Sequence, residues 1–164
     1  MILDSVGIQK ILPHRPPFLM VDAILEIERL KRIVGVKSVC VNEAYFQGHF
    51  PGKPVMPGVL IIEGMAQTGG LLLLLDIPDR DKKLLYFAAI EAARFRRPVL
   101  PGDQLRMEIT VLKFRNAFCK LQAVATVNGD LAAEAVLKCM LVDRDPVTAP
   151  SDTPADATVG ARNE

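Results

Sequence analysis

The spacing of apolar and polar residues divides the chain into two helices and six strands. Residues 4–12 place their apolar side chains on one helical face, and Pro13 ends that helix. A longer helix begins after Pro57, stays apolar to about residue 75 and ends before Pro78. Clustered or alternating apolar residues predict strands at 18–27, 32–41, 84–91, 104–114, 118–127 and 131–142.

Turn-forming residues separate these elements. Asn128-Gly129 is the strongest hairpin signal in the chain, and 101–103 (Pro-Gly-Asp) and Arg115-Asn116 predict two further turns. Residues 42–57 combine prolines with glycines, which predicts a stiff, tightly turned loop before the long helix.

The long helix is apolar on nearly every face, so it has to be enclosed. An antiparallel sheet curling around it is the economical solution for one domain, which predicts an α+β architecture with a sheet wrapped on a central helix. We assign this domain to residues 1–144. Residues 145–164 have no Leu, Ile or Met and no aromatic residue, so a disordered tail is predicted there.

Composition and charge exclude several classes of protein. The net charge is +1, and because the tail carries −3 the body carries +4, too little for general nucleic-acid binding but suited to an acidic protein partner. Three cysteines without a C-x-x-C pair indicate no zinc site. Glu63, Gln67 and three glycines argue against a membrane span in the oily segment 59–75. The N-terminus does not resemble a signal peptide, so a cytoplasmic location is expected.

Two ionisable residues are candidates for acid–base chemistry. Burial in an apolar helix disfavours the charged form of Glu63, so this acid could deliver a proton near neutral pH. Gln67 lies one turn later on the same side. His49 stands in the proline-braced loop, where an imidazole can be held in one orientation. The alternative is that Glu63 pairs with a buried cation such as Arg94. His14, among turn-forming residues with no acid beside it in the sequence, is interpreted as structural.

Arg94, Phe95, Arg96 and Arg97 alternate cation and aromatic at strand spacing. A solvated strand face and a docking patch for an acidic partner are both open interpretations of this run. Met20, Met56 and Met65 are predicted to fill gaps in the core.

Three stretches are similar to a known family. LPHRPPFLMVD (12–22), NEAYFQGHFPGKPVMPGVLIIEGMAQ (42–67) and ARFRRPVLPGDQL (93–105) resemble the bacterial 3-hydroxyacyl-(acyl-carrier-protein) dehydratases of type II fatty acid synthesis, the FabZ family. The resemblance covers roughly residues 3–143. It implies a hot-dog fold and a homo-oligomer, usually a trimer of dimers. It also implies active sites at the dimer interface, where the histidine of one subunit faces the glutamate of the other.

The resemblance also implies roles for individual residues. His49 would remove a C2 proton from the substrate, Glu63 would protonate or orient the departing hydroxyl, and the Gly58 N–H would stabilise the thioester oxygen. The resemblance implies no metal or dissociable cofactor, although the substrate arrives on the phosphopantetheine arm of the acidic acyl carrier protein. We assign Tyr86, Gln67 and Phe50 to the substrate tunnel. Arg94, Arg96 and Arg97 are assigned to carrier-protein docking.

The sequence departs from the family pattern at two positions and leaves rival functions open. Pro16 stands where an aromatic residue is common, and Ala92 replaces a lysine, which affects the expected tunnel mouth and docking surface. Glu63 favours dehydration without double-bond migration, because the related dehydratase–isomerases resemble this chain but have aspartate there. A thioesterase, an enoyl-CoA hydratase and a non-catalytic acyl-binding module are the alternatives.

Overall fold

The structure is a computed structural model that describes residues 1–144, so the tail predicted at 145–164 lies outside the described residues. Residues 1–144 form two α-helices, six strands and two short 3₁₀ turns. The helices are α1 (Ser5–Gln9) and α2 (Gly58–Leu74), and the 3₁₀ turns are Ala44–Gln47 and Arg80–Lys82. The strands are β1 (Ala23–Glu28), β2 (Arg32–Ser38), β3 (Lys83–Phe95), β4 (Gln104–Arg115), β5 (Phe118–Val127) and β6 (Asp130–Asp143).

All six strands belong to one antiparallel sheet in the order β1-β2-β4-β5-β6-β3. Helix α2 packs against the inner face of strands β2, β4, β5 and β6 and buries twelve of its seventeen residues. The predicted α+β architecture, a sheet wrapped on a long helix, is therefore confirmed. Strand β3 follows α2 in the chain but pairs with β6, which leaves β3 at the edge of the sheet.

The start of β1 differs from the prediction. The strand begins at Ala23 rather than residue 18, because the backbone before it bonds elsewhere. The Met20 N–H donates to Gln67 Oε1 (2.8 Å), and the Phe18 carbonyl accepts from Gln67 Nε2 (2.8 Å). These groups serve a side chain of α2, so they take no part in a strand ladder.

Strand β3 is longer than predicted and irregular. It runs to Phe95, with register shifts between Phe87 and Ala89 and between Glu91 and Arg94. Ala92, which replaces the family's lysine, lies within the second shift at a φ of +50°. Positive φ is uncommon for a residue with a Cβ, so this irregularity could not be read from the apolar pattern.

The predicted hairpin turn is confirmed. Asn128 and Gly129 have φ values of +53° and +89°, which matches the two left-handed positions that a two-residue turn of this type requires. The turn between β4 and β5 is centred one residue later than predicted, on Asn116 and Ala117 (φ +50° and +64°).

The helix approaches the sheet closely at Gly35 of β2. A Cβ at this position would lie 2.9 Å from Thr68 Oγ1 and 3.1 Å from Val21 Cγ2. Thr68 cannot easily turn away, because its hydroxyl donates to the Gly64 carbonyl (2.8 Å). Gly35 therefore sets how near α2 lies to the sheet.

We expect Gly35→Ala to reduce the free energy of unfolding by about 1–3 kcal/mol, the usual cost of overpacking a rigid core site. Gly70→Ala is the matched control, since its Cβ would find its nearest neighbour at 3.7 Å and alanine is the better helix former. Chemical denaturation of both variants is the measurement. Equal stability of the two would contradict this account of the contact.

Candidate active site

His49 is fixed in the loop before α2 by both its backbone and its ring. Its N–H donates to the Tyr45 carbonyl (3.0 Å), and its carbonyl accepts from the Val55 N–H (3.0 Å). Ring atom Nδ1 lies 2.6 Å from the Val55 carbonyl, which can only accept, so Nδ1 carries the proton. The neutral imidazole therefore has its lone pair on Nε2, the atom available to act as a base.

A buried ion pair anchors the start of the same loop. The side chain of Lys37 in β2 is 4% exposed, and its Nζ lies 2.6 Å from Glu43 Oε1 and 3.9 Å from Asp22 Oδ1. Glu43 directly precedes the 3₁₀ turn that leads to His49. Because a buried ammonium needs its carboxylate partner, the pair holds this loop to the sheet.

Gly58 lies beside His49 in one groove, which also includes Val59 and Phe95. As the first residue of α2, Gly58 has an N–H without an intrahelical partner, at the end of the helix where its dipole favours negative charge. A Cβ on Gly58 would lie 2.9 Å from the Phe95 ring, so glycine lets β3 approach the helix start closely. The ring of Phe50 stacks on His49 with centroids 4.0 Å apart.

Glu63 lies on α2 with a side chain that is 17% exposed. Its Oε1 accepts from Gln67 Nε2 (2.9 Å). Gln67, 2% exposed, also binds the backbone at Phe18 and Met20, so its amide is fixed in one orientation. Gln67 therefore joins the carboxylate to the loop before β1. Both residues line one mainly apolar cavity.

His14, interpreted as structural because no acid lies beside it in the sequence, contacts an acid that is distant along the chain. Its Nε2 lies 3.5 Å from Glu63 Oε1 across the same cavity, and its ring stacks with Phe18 at 6.3 Å. Burial lowers the pKa of the His14 imidazole, more than the nearby Glu63 carboxylate raises it, and Arg15 lowers it further. No sequence spacing predicted this contact, because it depends on how the loop before β1 folds against α2.

The cavity at Glu63 has a volume of about 150 Å³ and walls that are mainly apolar. Leu12 and Leu74 lie at its wall, and Leu85, Tyr86 and Phe87 of the edge strand form another side. Cys139 also faces it, but a hydrogen bond with Cys119 and burial raise the pKa of the Cys139 thiol, so it is a neutral wall residue. Tyr86, which the resemblance assigned to the substrate tunnel, lies at this cavity with an exposed side chain.

The two predicted catalytic residues line different cavities of the one chain. His49 lines the groove at the start of α2, and Glu63 lines the cavity one turn further along the helix. The predicted alternative, an ion pair between Glu63 and Arg94, is not formed. Arg94 is 64% exposed and lies 3.9 Å from Glu134. Within residues 1–144, Glu63 has no lysine or arginine within salt-bridge distance.

The positive charge of the arginine run, which was predicted to dock a partner, is largely balanced by nearby carboxylates. Arg96 binds Glu134 at 2.9 Å, the same carboxylate that Arg94 approaches. Arg97 lies 3.5 Å from Asp103 and 3.4 Å from Asp130. The run therefore contributes little net positive charge.

Among residues 1–144, the His, Cys, Asp and Glu side chains form no group of three or more that could hold a metal ion. In the same part of the chain, no helix combines the length and apolar character needed to cross a bilayer.

Comparisons with known proteins show the family of this chain. A family model described as a FabA-like domain matches residues 12–136. A 3-hydroxyacyl-(acyl-carrier-protein) dehydratase FabZ of Koribacter versatilis is 55% identical over 143 residues, 87% of this chain and 92% of that protein. The chain belongs to the FabZ family. A FabZ of Solibacter usitatus is 53% identical over 161 residues, 96% of this chain and 99% of that protein.

Solved structures place this FabZ-family chain among the hot-dog folds. The dehydratase heterocomplex ApeI:P from Xenorhabdus doucetiae matches with a TM-score of 0.71 at 17% identity, covering 82% of this chain and 90% of that chain. A hypothetical thioesterase with coenzyme A from Streptococcus pneumoniae matches with a TM-score of 0.55 at 14% identity, covering 74% and 86%. At these identities the likeness concerns the fold, and it confirms the predicted hot-dog architecture.

We expect Gln67→Leu to lower the free energy of unfolding by about 2 kcal/mol or more, because the Met20 N–H and Phe18 carbonyl would lose their partner in a buried site. Gln122→Leu is the control, since Gln122 is partly buried and makes one long bond, 3.4 Å, to Ala135. Urea denaturation compares them. A smaller loss for Gln67→Leu than for Gln122→Leu would contradict this role.

Proposed function

We propose that this protein removes water from 3-hydroxyacyl chains carried on acyl carrier protein, giving trans-2-enoyl chains in fatty acid synthesis. The similarity to named dehydratases over almost the whole chain carries this conclusion. It also favours the dehydratase over the thioesterase, hydratase and non-catalytic alternatives. The enzyme is a hydro-lyase.

His49 and Glu63 are the proposed acid–base pair. His49 Nε2 takes a proton from C2, the C2–C3 double bond forms, and the C3 hydroxyl leaves as water with a proton from Glu63. The thioester oxygen gains negative charge during this step. The Gly58 N–H, which lies in the same groove as His49, would donate a hydrogen bond to this oxygen. No metal or dissociable cofactor takes part in this scheme, in which the phosphopantetheine arm belongs to the substrate.

A second protomer is needed to bring this pair together, and the edge strand β3 supports that requirement. Strand β3 has one paired side, and its exposed apolar side chains include Tyr86, Phe87, Ile90 and Phe95. A long apolar edge strand is a template for pairing with another chain. Two copies of β3 can pair antiparallel about a two-fold axis.

The positions of the two cavities along β3 would let this pairing bring His49 of one protomer opposite Glu63 of the other. Leu84–Phe87, in the first half of β3, borders the Glu63 cavity, and Phe95, at its end, borders the His49 groove. In a two-fold pair centred near Ala89, the first half of one strand lies opposite the second half of its partner. The His49 groove of each protomer then faces the Glu63 cavity of the other.

Assembly beyond the dimer and location follow from the family. We propose a trimer of such dimers and action in the cytoplasm. Both remain predictions from the sequence.

The carrier protein is acidic, and its docking surface is better placed on a row of lysines than on the arginine run. Lys113, Lys120 and Lys138 are register partners on adjacent strands β4, β5 and β6. Like charges directly opposite one another destabilise a sheet. An acidic partner surface that offsets this repulsion would account for the arrangement. Of these three, Lys138 has a carboxylate neighbour, Glu91, among the described residues.

The lysine row runs beside the cavity mouth. Two residues further along the strands, Arg115, Phe118, Met140 and Tyr86 form another row of register partners. Two residues along a strand span about 7 Å. A carrier protein bound to the lysines would therefore hold its phosphopantetheine arm near Tyr86, at the opening of the Glu63 cavity.

We expect His49→Ala and Glu63→Gln each to lower kcat by at least about 100-fold, the usual contribution of a positioned acid or base. Mixing the two inactive variants under conditions that exchange subunits should restore activity. With random pairing, half of the dimers are mixed and each has one intact site, so about a quarter of wild-type activity is expected. A spectroscopic enoyl assay measures this. No recovery after verified exchange would place both residues of a site in one chain.

We expect Lys113→Glu/Lys120→Glu to raise KM for carrier-bound substrate about tenfold or more, with little change for a pantetheine thioester that lacks the protein. Arg94→Glu/Arg96→Glu is the matched charge reversal and should have the smaller effect. Steady-state kinetics at low and high salt compare the variants. A larger rise in KM for Arg94→Glu/Arg96→Glu would instead assign docking to the arginine run.

A further inference from the structure

The loop between α1 and β1 holds an imidazole against the proposed catalytic carboxylate. Arg15 braces this loop, because its Nη1 donates to the carbonyls of Leu12 (2.8 Å) and His14 (2.7 Å). The His14 ring is thereby directed at Glu63, with Nε2 lying 3.5 Å from Oε1. This residue has no part in the acid–base scheme above, yet it faces the acid directly.

The surroundings of the ring decide which nitrogen is protonated. Burial lowers the pKa of His14 from its ordinary value of 6.5, so the ring is neutral at pH 7 and carries one N–H. Among the described residues, buried atom Nδ1 has no hydrogen-bond partner. A proton on Nδ1 would therefore be an orphaned buried donor, whereas a proton on Nε2 points at a carboxylate oxygen.

The two oxygens of Glu63 have different neighbours. Oε1 accepts from Gln67 Nε2 and faces His14 Nε2. Within residues 1–144, Oε2 forms no hydrogen bond. Oε1 is thus held by side chains of the protein, and Oε2 is available to a substrate in the cavity.

We propose that His14 is a positioning residue for Glu63, whose Nε2–H, together with the Gln67 amide, holds Oε1 so that Oε2 faces the substrate hydroxyl. The inference rests on the role of Glu63 proposed above. The 3.5 Å separation is longer than a good hydrogen bond, and hydrogen bonds of this kind shorten when substrate fills the site. The ring acts through Glu63, so its removal affects turnover more than substrate binding.

Kinetics of two His14 variants test the positioning role. His14→Phe keeps a ring of similar size but removes the N–H, and we expect kcat to fall about 10- to 100-fold with KM changed much less, the usual effect of a misplaced reacting group. His14→Gln supplies an amide N–H near the position of Nε2 and should recover most of that loss. Denaturation curves of both variants check that the fold is kept.

The tautomer gives a readout that does not depend on any variant at residue 14. Magic-angle-spinning ¹⁵N spectra of histidine-labelled protein distinguish protonated from unprotonated ring nitrogens. The chain has two histidines, so a His49→Ala sample assigns the His14 signals. We expect a neutral His14 ring protonated on Nε2.

The possible outcomes separate this inference from the proposed function. Wild-type kcat in His14→Phe, with Glu63→Gln inactive, would overturn the positioning role and leave Glu63 as the acid. An Nδ1-protonated ring would overturn it as well. Full activity in Glu63→Gln would remove the role of Glu63 and the inference with it.

Discussion

An enclosed helix can carry a carboxylate when a second polar side chain on the same helix fixes it. In α2 that side chain is Gln67, one turn after Glu63. Its amide oxygen accepts from the Met20 N–H, and its amide nitrogen donates to the Phe18 carbonyl and to Glu63. The helix, the loop before β1 and the carboxylate therefore depend on one amide, and the arrangement also brings His14 to the cavity.

Local chemistry in the sequence predicted much of this fold. The Asn128-Gly129 turn followed from the left-handed backbone that these two residues adopt readily, and α2 followed from an apolar run after Pro57. Its enclosure by a sheet followed because an apolar helix must be covered. The paired candidates His49 and Glu63 were found from residue type and setting, and their roles came from the resemblance to the FabZ family.

Features that depend on tertiary contacts could not be predicted in this way. The late start of β1 results from Gln67, which lies 47 residues from Met20 in the sequence. The order of strands places β3 beside β6, a long-range choice that no local pattern encodes. The contact between His14 and Glu63 has the same origin, and the local acids that neutralise the arginine run come from other strands and turns.

The free edge of β3 has a consequence for how the enzyme responds to its own concentration. One wall of the Glu63 cavity is built from this strand, so in the proposed dimer each site is finished by the neighbouring subunit. Specific activity then obeys mass action between subunits. On dilution below the dissociation constant of the pair, the carboxylate of each separated subunit would have no base opposite it, so turnover per subunit would fall.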